Sequence, residues 1–294
     1  MARRMLLDAS SLLYWAFHAL PPSIRGRDGR PVNAVFGYLD MTARLYTSRR
    51  PEALVHVQDD AIVPEARARA WPGYKAQRAP DPEGLPEQFD LLDEVLSAFG
   101  AERTRAPGWE ADDAIGTLCA RAAPEDEVEI VTGDRDLLQL VRDAGPAVRV
   151  LFTVKGVSEL ASFDEAAVVA RYGVPPSRYA DFATLRGDPS DGLPGVAGVG
   201  EKTAARLVAA HGSLEAILAS AGGLSARLGA SLRSAEAYLK AMQEVVPVRC
   251  DLRLEARRDP PDPERLARLA TERRLNGPVR RLADAVGLAL PAAD

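Results

Sequence analysis

The sequence predicts an α/β fold, with a central, mainly parallel sheet flanked by helices on both faces and a mostly helical region after it. Three observations predict it. Short apolar runs at residues 5–7, 53–57, 128–131 and 148–151 alternate with longer segments of helical periodicity. The first three runs meet an acid at once or after no more than two residues, at Asp8, Asp59 and Asp134. From Pro175 onward the strand-like runs give way to helical segments joined by glycine turns.

Taken in order, residues 5–7 form a short strand. Ser10 and Ser11 can cap a helix over 12–20, which Pro21-Pro22 stops. Residues 23–32 contain the turn-like RGRDGRP. Val35, Tyr38, Leu39, Leu45 and Tyr46 mark a helix over 33–47, and 53–57 is the second strand. Residues 62–85 are rich in Arg, Pro and Gly with little apolar periodicity, which predicts an exposed segment at a functional rim. Phe89, Leu92, Val95, Leu96 and Phe99 place an amphipathic helix over 87–99. The stretch 107–140, PGWEADDAIGTLCARAAPEDEVEIVTGDRDLLQL, holds an acidic helix entry, the third strand and a turn leading into another helix start. Residues 148–151 are a fourth strand, with Val154 in a hairpin partner, and Asp164 caps a helix over 164–172. Beyond Pro175, helices are expected over 179–185, from Glu201, and over 214–218, 235–242 and 263–271. Residues 257–281 read as a solvated, Arg-rich helical surface. The expected division is a core over 1–174, with a rim segment at about 62–86, and a helical region over 175–294.

The 294 residues allow a large core, and 47% apolar with 27% charged residues is ordinary for a soluble globular protein. No apolar run is long enough to span a bilayer, and the N-terminus lacks a signal-peptide layout. Cys119 and Cys250 fit neither a disulfide framework nor a cysteine-based zinc site. These features predict a cytoplasmic protein with no membrane partner, and a monomer is expected. A net charge of −5 argues mildly against a polyanionic partner. Arginines nevertheless outnumber acids over 1–50, and Arg67, Arg69, Lys75 and Arg78 have no acid among them over 67–78.

The chemistry rests on carboxylates. In open α/β sheets ligands collect beyond the carboxyl ends of strands, so Asp8, Asp59 and Asp134 should converge there. Glu110, Asp112, Asp113 and Asp136 lie at helix or turn starts, and Asp188 and Asp191 flank a Pro-Ser turn. Any one of them could be only a helix cap, and Asp60 competes with Asp59 at its strand end. Together they form an oxygen-only donor set without histidine, which favours Mg2+ or Mn2+ over zinc. With so many acids, two ions about 3.5 to 4 Å apart are the natural arrangement, suited to phosphodiester hydrolysis. Lys75 and Arg78 are candidates to hold phosphates at the entrance. His18, His56 and His211 are read as packing or surface residues.

GVAGVGEKTA adds a second signal. Gly195, Gly198 and Gly200 permit a tight turn, and the amides of the helix beginning near Glu201, with Lys202 beside them, could bind a backbone phosphate. A plain helix turn explains the glycines equally well, and the spacing is not that of a Walker loop.

Taken together, LLDASSLLYWAFHAL, DGRPVNAVFGYL, YKAQRAP, PGWEADDAIGTL, VTGDRDLLQLV and GDPSDGLPGVAGVGEKTAARL resemble the 5'-nuclease family, the 5'-3' exonuclease domain of bacterial DNA polymerase I and the flap endonucleases. The likeness covers residues 4 to about 220, and the length resembles a free-standing form. It implies a PIN-like α/β nuclease core followed by a helix-three-turn-helix region, acting on DNA flaps, nicks and 5' ends, or on RNA primers in hybrids. Asp8, Asp59, Glu110, Asp112, Asp113, Asp134 and Asp136 resemble the family's core metal carboxylates, and Asp188 and Asp191 the last pair. Arg67, Lys75 and Arg78 are similar to the basic residues of the gateway over the site. Gly195, Gly198, Gly200, Lys202 and Thr203 resemble the duplex grip, where the family uses a potassium ion. Tyr14 lies in the matching first helix. Trp15 follows it where polymerase-type members carry arginine, and Ala66 replaces an aromatic. Trp15 could stack on a base or lie in the core. A branched-DNA-binding protein of low activity and a PIN-like single-stranded ribonuclease are the alternatives.

Overall fold

The computed structural model describes residues 2–291. Its first strand, β1 (Arg3–Asp8), is the middle of a seven-stranded sheet that also contains β2 (Ala53–Val57), β3 (Glu102–Arg105), β4 (Glu127–Thr132), β5 (Ala147–Thr153), β6 (Leu160–Phe163) and β7 (Glu255–Arg257). The order is β6-β5-β4-β1-β2-β3-β7. The five inner strands are parallel, and both edge strands are antiparallel to their neighbours.

The expectation of a PIN-like core is corrected by this mixed sheet. The short connection 154–159 between β5 and β6 can only return the chain antiparallel. At the other edge Glu255 to Arg257, from far down the chain, pairs with β3. The hairpin partner expected after 148–151 is β6, with Val154 in the connection rather than the strand, whereas β7 carries no strand signal and β3 is hidden because its four residues, ERTR, carry no apolar run.

Alternation along the strands feeds two cores. Met5, Leu7, Val131 and Leu151 face one side, while Leu6, Val128, Ile130, Val148 and Val150 face the other. The first side is covered by α1 (Ala9–Ala19), α2 (Asn33–Arg49) and α4 (Pro86–Phe99), with the short α3 (Glu65–Ala70) standing in the rim segment between them in sequence. The second side receives α5 (Ala111–Arg121), α6 (Glu165–Tyr172) and α7 (Tyr179–Arg186). The helical region then runs through α8 (Glu201–His211), α9 (Leu214–Ala219), α10 (Ala226–Ser234) and α11 (Glu236–Val245) on that same second side. After β7 the chain crosses to the first face, where α12 (Pro263–Glu272) packs on α4 and α13 (Asn276–Val286) on α2.

Local chemistry sets the helix ends. Asp8 accepts a hydrogen bond from Ser11 N at 3.0 Å and so ends β1 and caps α1 at once. Asp164 caps α6 through Ala167 N at 2.8 Å, as its position before the apolar run predicts. The expected helix after Asp136 is a 3-10 turn, Asp136–Leu140, whose Leu137 and Leu138 are fully buried. Among the described residues no helix is long and apolar enough to cross a membrane.

Candidate active site

The chain passes from β1 to β2 and β3 on one side, then returns to β4 on the other side of β1, so the strand order reverses at β1. A crevice at the carboxyl ends is expected there, and Asp8 and Asp134 occupy it. Asp8 is 3% exposed, and its second oxygen accepts from the Thr132 hydroxyl at 2.7 Å. Burial, reinforced by the charges of Asp59 and Asp134, pushes its carboxyl up to about 7. Asp134 is anchored by its own amide, which donates to Thr132 Oγ1, and its Oδ1 receives Asp136 N, both at 2.8 Å. Asp59 accepts from Ala111 N at 2.7 Å, which ties the end of β2 to the start of α5. Asp60 turns away to Gly108 N and Arg105.

Asp112 and Asp136 complete the centre. Burial first, then Asp134, Asp8 and Glu110, hold Asp112 well above the usual carboxylate range. Asp136 is raised in the same way by burial and by Asp134, Asp191 and Asp188. Asp188 and Asp191 sit at the two ends of the 3-10 turn Pro189–Asp191 and reach the centre electrostatically from the helical region. Among the described residues no three such side chains are gathered closely enough to grip a metal ion as they stand. What unites Asp8, Asp59, Asp112, Asp134 and Asp136 is the burial of like charge. Oxygen-only donors whose ionisation is resisted by burial and by one another fit hard divalent cations, which relieve that repulsion.

Two acids have different surroundings. Asp113 is fully buried, with both oxygens taken by the Arg67 guanidinium at 2.8 Å and Oδ1 also by Arg249 N at 2.9 Å. Glu110 receives Arg67, Lys75 and, at 2.8 Å, the Tyr74 hydroxyl. Arg67 itself is 4% exposed, so it braces α5 from within instead of standing at an entrance. Lys75 also lies 3.9 Å from Asp191, and Arg78 bonds Asp191 at 2.7 Å. These two cations line the rim of the acidic centre.

Tyr14 and Trp15 are exposed at 47% and 36%. Tyr14 packs against His18, with ring centroids 4.6 Å apart and planes tilted at 57°, and Trp15 lies against Gly156 in the β5–β6 loop, where an added Cβ would come within 2.5 Å of the indole. The glycine hairpin stands apart. Gly195 and Gly198 take φ of 67° and 77°, and Gly200 precedes α8 with no side-chain cap, leaving Lys202 exposed and Thr203 in the first turn. Arg227 at the start of α10 comes within 4.0 Å of where a Cβ on Gly198 would sit. Sequence reasoning missed Arg227, Tyr74 and Arg249. Tyr74 precedes Lys75 in YKAQR and could have been found there, whereas nothing local marks Arg227 or Arg249.

A profile of the 5'-3' exonuclease N-terminal resolvase-like domain matches residues 3–173, and one of the same family's C-terminal SAM fold matches 174–267. The chain belongs to the 5'-3' exonuclease family. It is an enzyme of that metal-dependent class. It is 44% identical to a 5'-3' exonuclease of Mycobacterium tuberculosis over 96% of this chain and 97% of the relative. A 5'-3' exonuclease of Streptomyces coelicolor is 45% identical over 95% and 98%. Both matches span nearly the full length of these relatives. The chain also resembles, with a TM-score of 0.61 and 16% identity over 97% of this chain and 98% of the other, the bacteriophage T5 flap endonuclease in a pseudo-enzyme-product complex with DNA and metal ions. That likeness concerns the fold. The PIN-like expectation is replaced accordingly by the 5'-nuclease fold of this family.

Proposed function

We propose that this 5'-3' exonuclease is a structure-specific, metal-dependent nuclease that hydrolyses phosphodiester bonds at 5' flaps, nicks and 5' ends of DNA, in repair and replication. One observation carries the reading. Asp8, Asp59, Asp112, Asp134 and Asp136, from four separate stretches of chain, lie at the carboxyl ends of the parallel inner strands with their ionisation opposed by burial and like charge, and Lys75, Arg78 and the pair Asp188 and Asp191 stand at the rim. Nuclease relatives along nearly the whole chain support it.

In this reading Asp8, Asp59, Asp112, Asp134 and Asp136, with Asp188 and Asp191, hold Mg2+ or Mn2+, and Glu110 contributes one oxygen once Lys75 releases it. Two such ions supply charge neutralisation at the phosphate and lower the pKa of water for in-line attack. Asp113 keeps its bond to Arg67 and fixes the first turn of α5, which aims Asp112. Lys75 and Arg78 exchange Glu110 and Asp191 for the substrate phosphate, a trade of one anion for another in a site that excludes much of the solvent. The hairpin 195–200, with Lys202, Thr203 and Arg227, grips a duplex backbone without reading bases, and a potassium ion would sit at the same turn. Tyr14 and Trp15 offer exposed ring faces to an unpaired base. Functionally the chain divides into a nuclease core over 1–174, with its gateway at about 62–86, and a duplex-binding region that begins at 175 and ends before β7, since β7, α12 and α13 pack back onto the core. Two unbridged cysteines suit a cytoplasmic site of action.

Cleavage of a 5'-labelled flap substrate in magnesium tests the proposal. Wild type is expected to release short 5' products, and the Asp134→Asn variant is not. Equal, background-level cleavage by both proteins would reject it.

A further inference from the structure

Tyr238 in α11 belongs to no motif of the sequence, yet one buried side chain joins three parts of the proposed machinery. Its hydroxyl donates to Thr184 O at 3.1 Å, near the end of α7, and accepts from Gly195 N at 3.2 Å, the first residue of the hairpin. Between those two points runs the loop that carries Asp188 and Asp191. The ring of Tyr238 meets Trp71 edge-on, with centroids 5.4 Å apart and planes at 75°. Trp71 follows α3 in the gateway, and its indole N–H donates to Gly192 O at 3.2 Å, inside the same loop.

From Trp71 onward the gateway stays docked on that loop. Lys75 N donates to Asp191 O, and Gln77 Nε2 to Pro189 O, each at 2.9 Å. Gly192, at φ 72°, lies so near Gly73 O that a Cβ would come within 2.1 Å of it. Duplex grip, acid pair and gateway therefore share one short loop, and the Tyr238 hydroxyl fastens the base of that loop at both ends. Burial keeps the phenol protonated, pushing its pKa up to about 12, so it remains a donor at any working pH.

We propose that Tyr238, with Trp71, is a positioning unit that sets the distance between the gripped duplex and the acid pair Asp188 and Asp191, and so selects which phosphate is cut. This rests on the nuclease reading above. A phenylalanine would keep the ring contact with Trp71 but leave Gly195 N–H and Thr184 O without their partner. The hairpin could then shift against the acid pair while the duplex is still held, because the groups that would touch phosphate, at Gly198 to Thr203 and Arg227, are untouched. A small misplacement of the scissile phosphate lowers the rate of reaction far more than it lowers affinity.

The test uses the full chain with Tyr238→Phe, Trp71→Phe and both together. Single-turnover cleavage of a 5'-labelled flap, the spread of cut positions, flap affinity in calcium, and amide hydrogen exchange over 184–200 without DNA or metal are measured. Tyr238→Phe, which removes two hydrogen bonds, is expected to slow cleavage about tenfold. It should spread cuts to neighbouring phosphates and speed exchange at Gly195 and across the loop, while affinity stays within about twofold. The double variant should be scarcely slower than the slower single, since both act on one loop. Unchanged rate and cut position, affinity falling as much as rate, or two effects that multiply would each overturn the proposal. If wild type leaves the flap intact, the nuclease reading fails, and unchanged exchange in Tyr238→Phe would then refute the positioning link on its own.

Discussion

Arg67 grips Asp113 in a two-pronged ion pair, Nη1 to Oδ2 and Nη2 to Oδ1, each at 2.8 Å, with both side chains buried. The same guanidinium reaches Glu110 and Pro247 O, so it holds the start of α5 against the segment that leads out of α11. Replacing it with methionine leaves Asp113 buried without its cation and Glu110 with Lys75 alone. The expected loss is about 3–5 kcal/mol of stability, read from urea denaturation. Arg67→Lys should recover only part of it, because an ammonium cannot make the forked contact. A variant within 1 kcal/mol or so of wild type would show that the pair is worth little here.

The acid centre predicts a trade of stability for chemistry. Asp112 is held above the usual carboxylate range by burial and like charge, so its ionisation at neutral pH opposes folding. The sign is that of a raised folded-state pKa on an acid: removing the charge helps at neutral pH and does nothing in strong acid, where the group is protonated in both states. Asp112→Asn should raise stability in EDTA by about 0.5–2 kcal/mol, the range for stabilising changes at functional sites. Magnesium should narrow or reverse the gap, since ions that bind only the folded wild type stabilise it by mass action. Cleavage should fall about 100-fold or more. Thermal melts with EDTA and with magnesium check this, and an equal gain in both would count against a metal at Asp112.

Much of this was legible in the sequence for a physical reason. An acid at the carboxyl end of a parallel strand has one place to go, so the sequence alone brings Asp8, Asp59 and Asp134 to one edge of the sheet. Asp164 was readable as a cap because capping is local. The contacts of Asp113 were not, because its partner Arg67 lies in the rim segment and Arg249 far beyond both. Arg67 reads from the sequence only as one of the gateway's basic residues, since a buried arginine is distinguished only by what surrounds it. The strands β3 and β7 were hidden by their polar composition, and α13 by an arginine-rich surface whose buried stripe, Val279, Leu282 and Ala283, is short.

His56 gives a prediction in pH. It is buried in β2, beside Tyr38 Oη at 2.6 Å, and burial, helped by the Arg103 charge, lowers its pKa to about 3. An unfolded histidine titrates near 6.5, so between about 6.5 and 3 the unfolded chain binds a proton that the folded chain refuses. The stability that neutral His56 contributes is complete above about pH 6.5 and is lost as pH falls toward 3, at up to about 1.4 kcal/mol per unit. His56→Gln should flatten that slope while costing stability at pH 8. Urea midpoints from pH 4 to 8 provide the measurement, and parallel slopes in the two proteins would exclude His56 as the source.

The gateway makes the last prediction. Gly192 sits at φ 72°, where a side chain is strained, and a Cβ there would press to 2.1 Å from Gly73 O. Gly192→Ala must therefore push the 71–78 segment off the loop that bears Asp191, breaking the bonds from Trp71, Lys75 N and Gln77 together. Lys75 and Arg78 would then lose their fixed place at the rim, while the hairpin keeps its bond to Tyr238 and the inner acids at the ends of β1 and β4 stay in place. Duplex affinity in calcium should hold within about threefold and flap cleavage should drop by about 10- to 100-fold, with KM little changed and kcat carrying the loss. Proteolysis should cut the variant within 71–84 sooner than wild type, because side-chain bonds from Tyr74, Lys75 and Arg78 would be all that still ties the segment down. Cleavage at the wild-type rate with a proteolytically exposed gateway would mean that docking on this loop is not needed for the reaction.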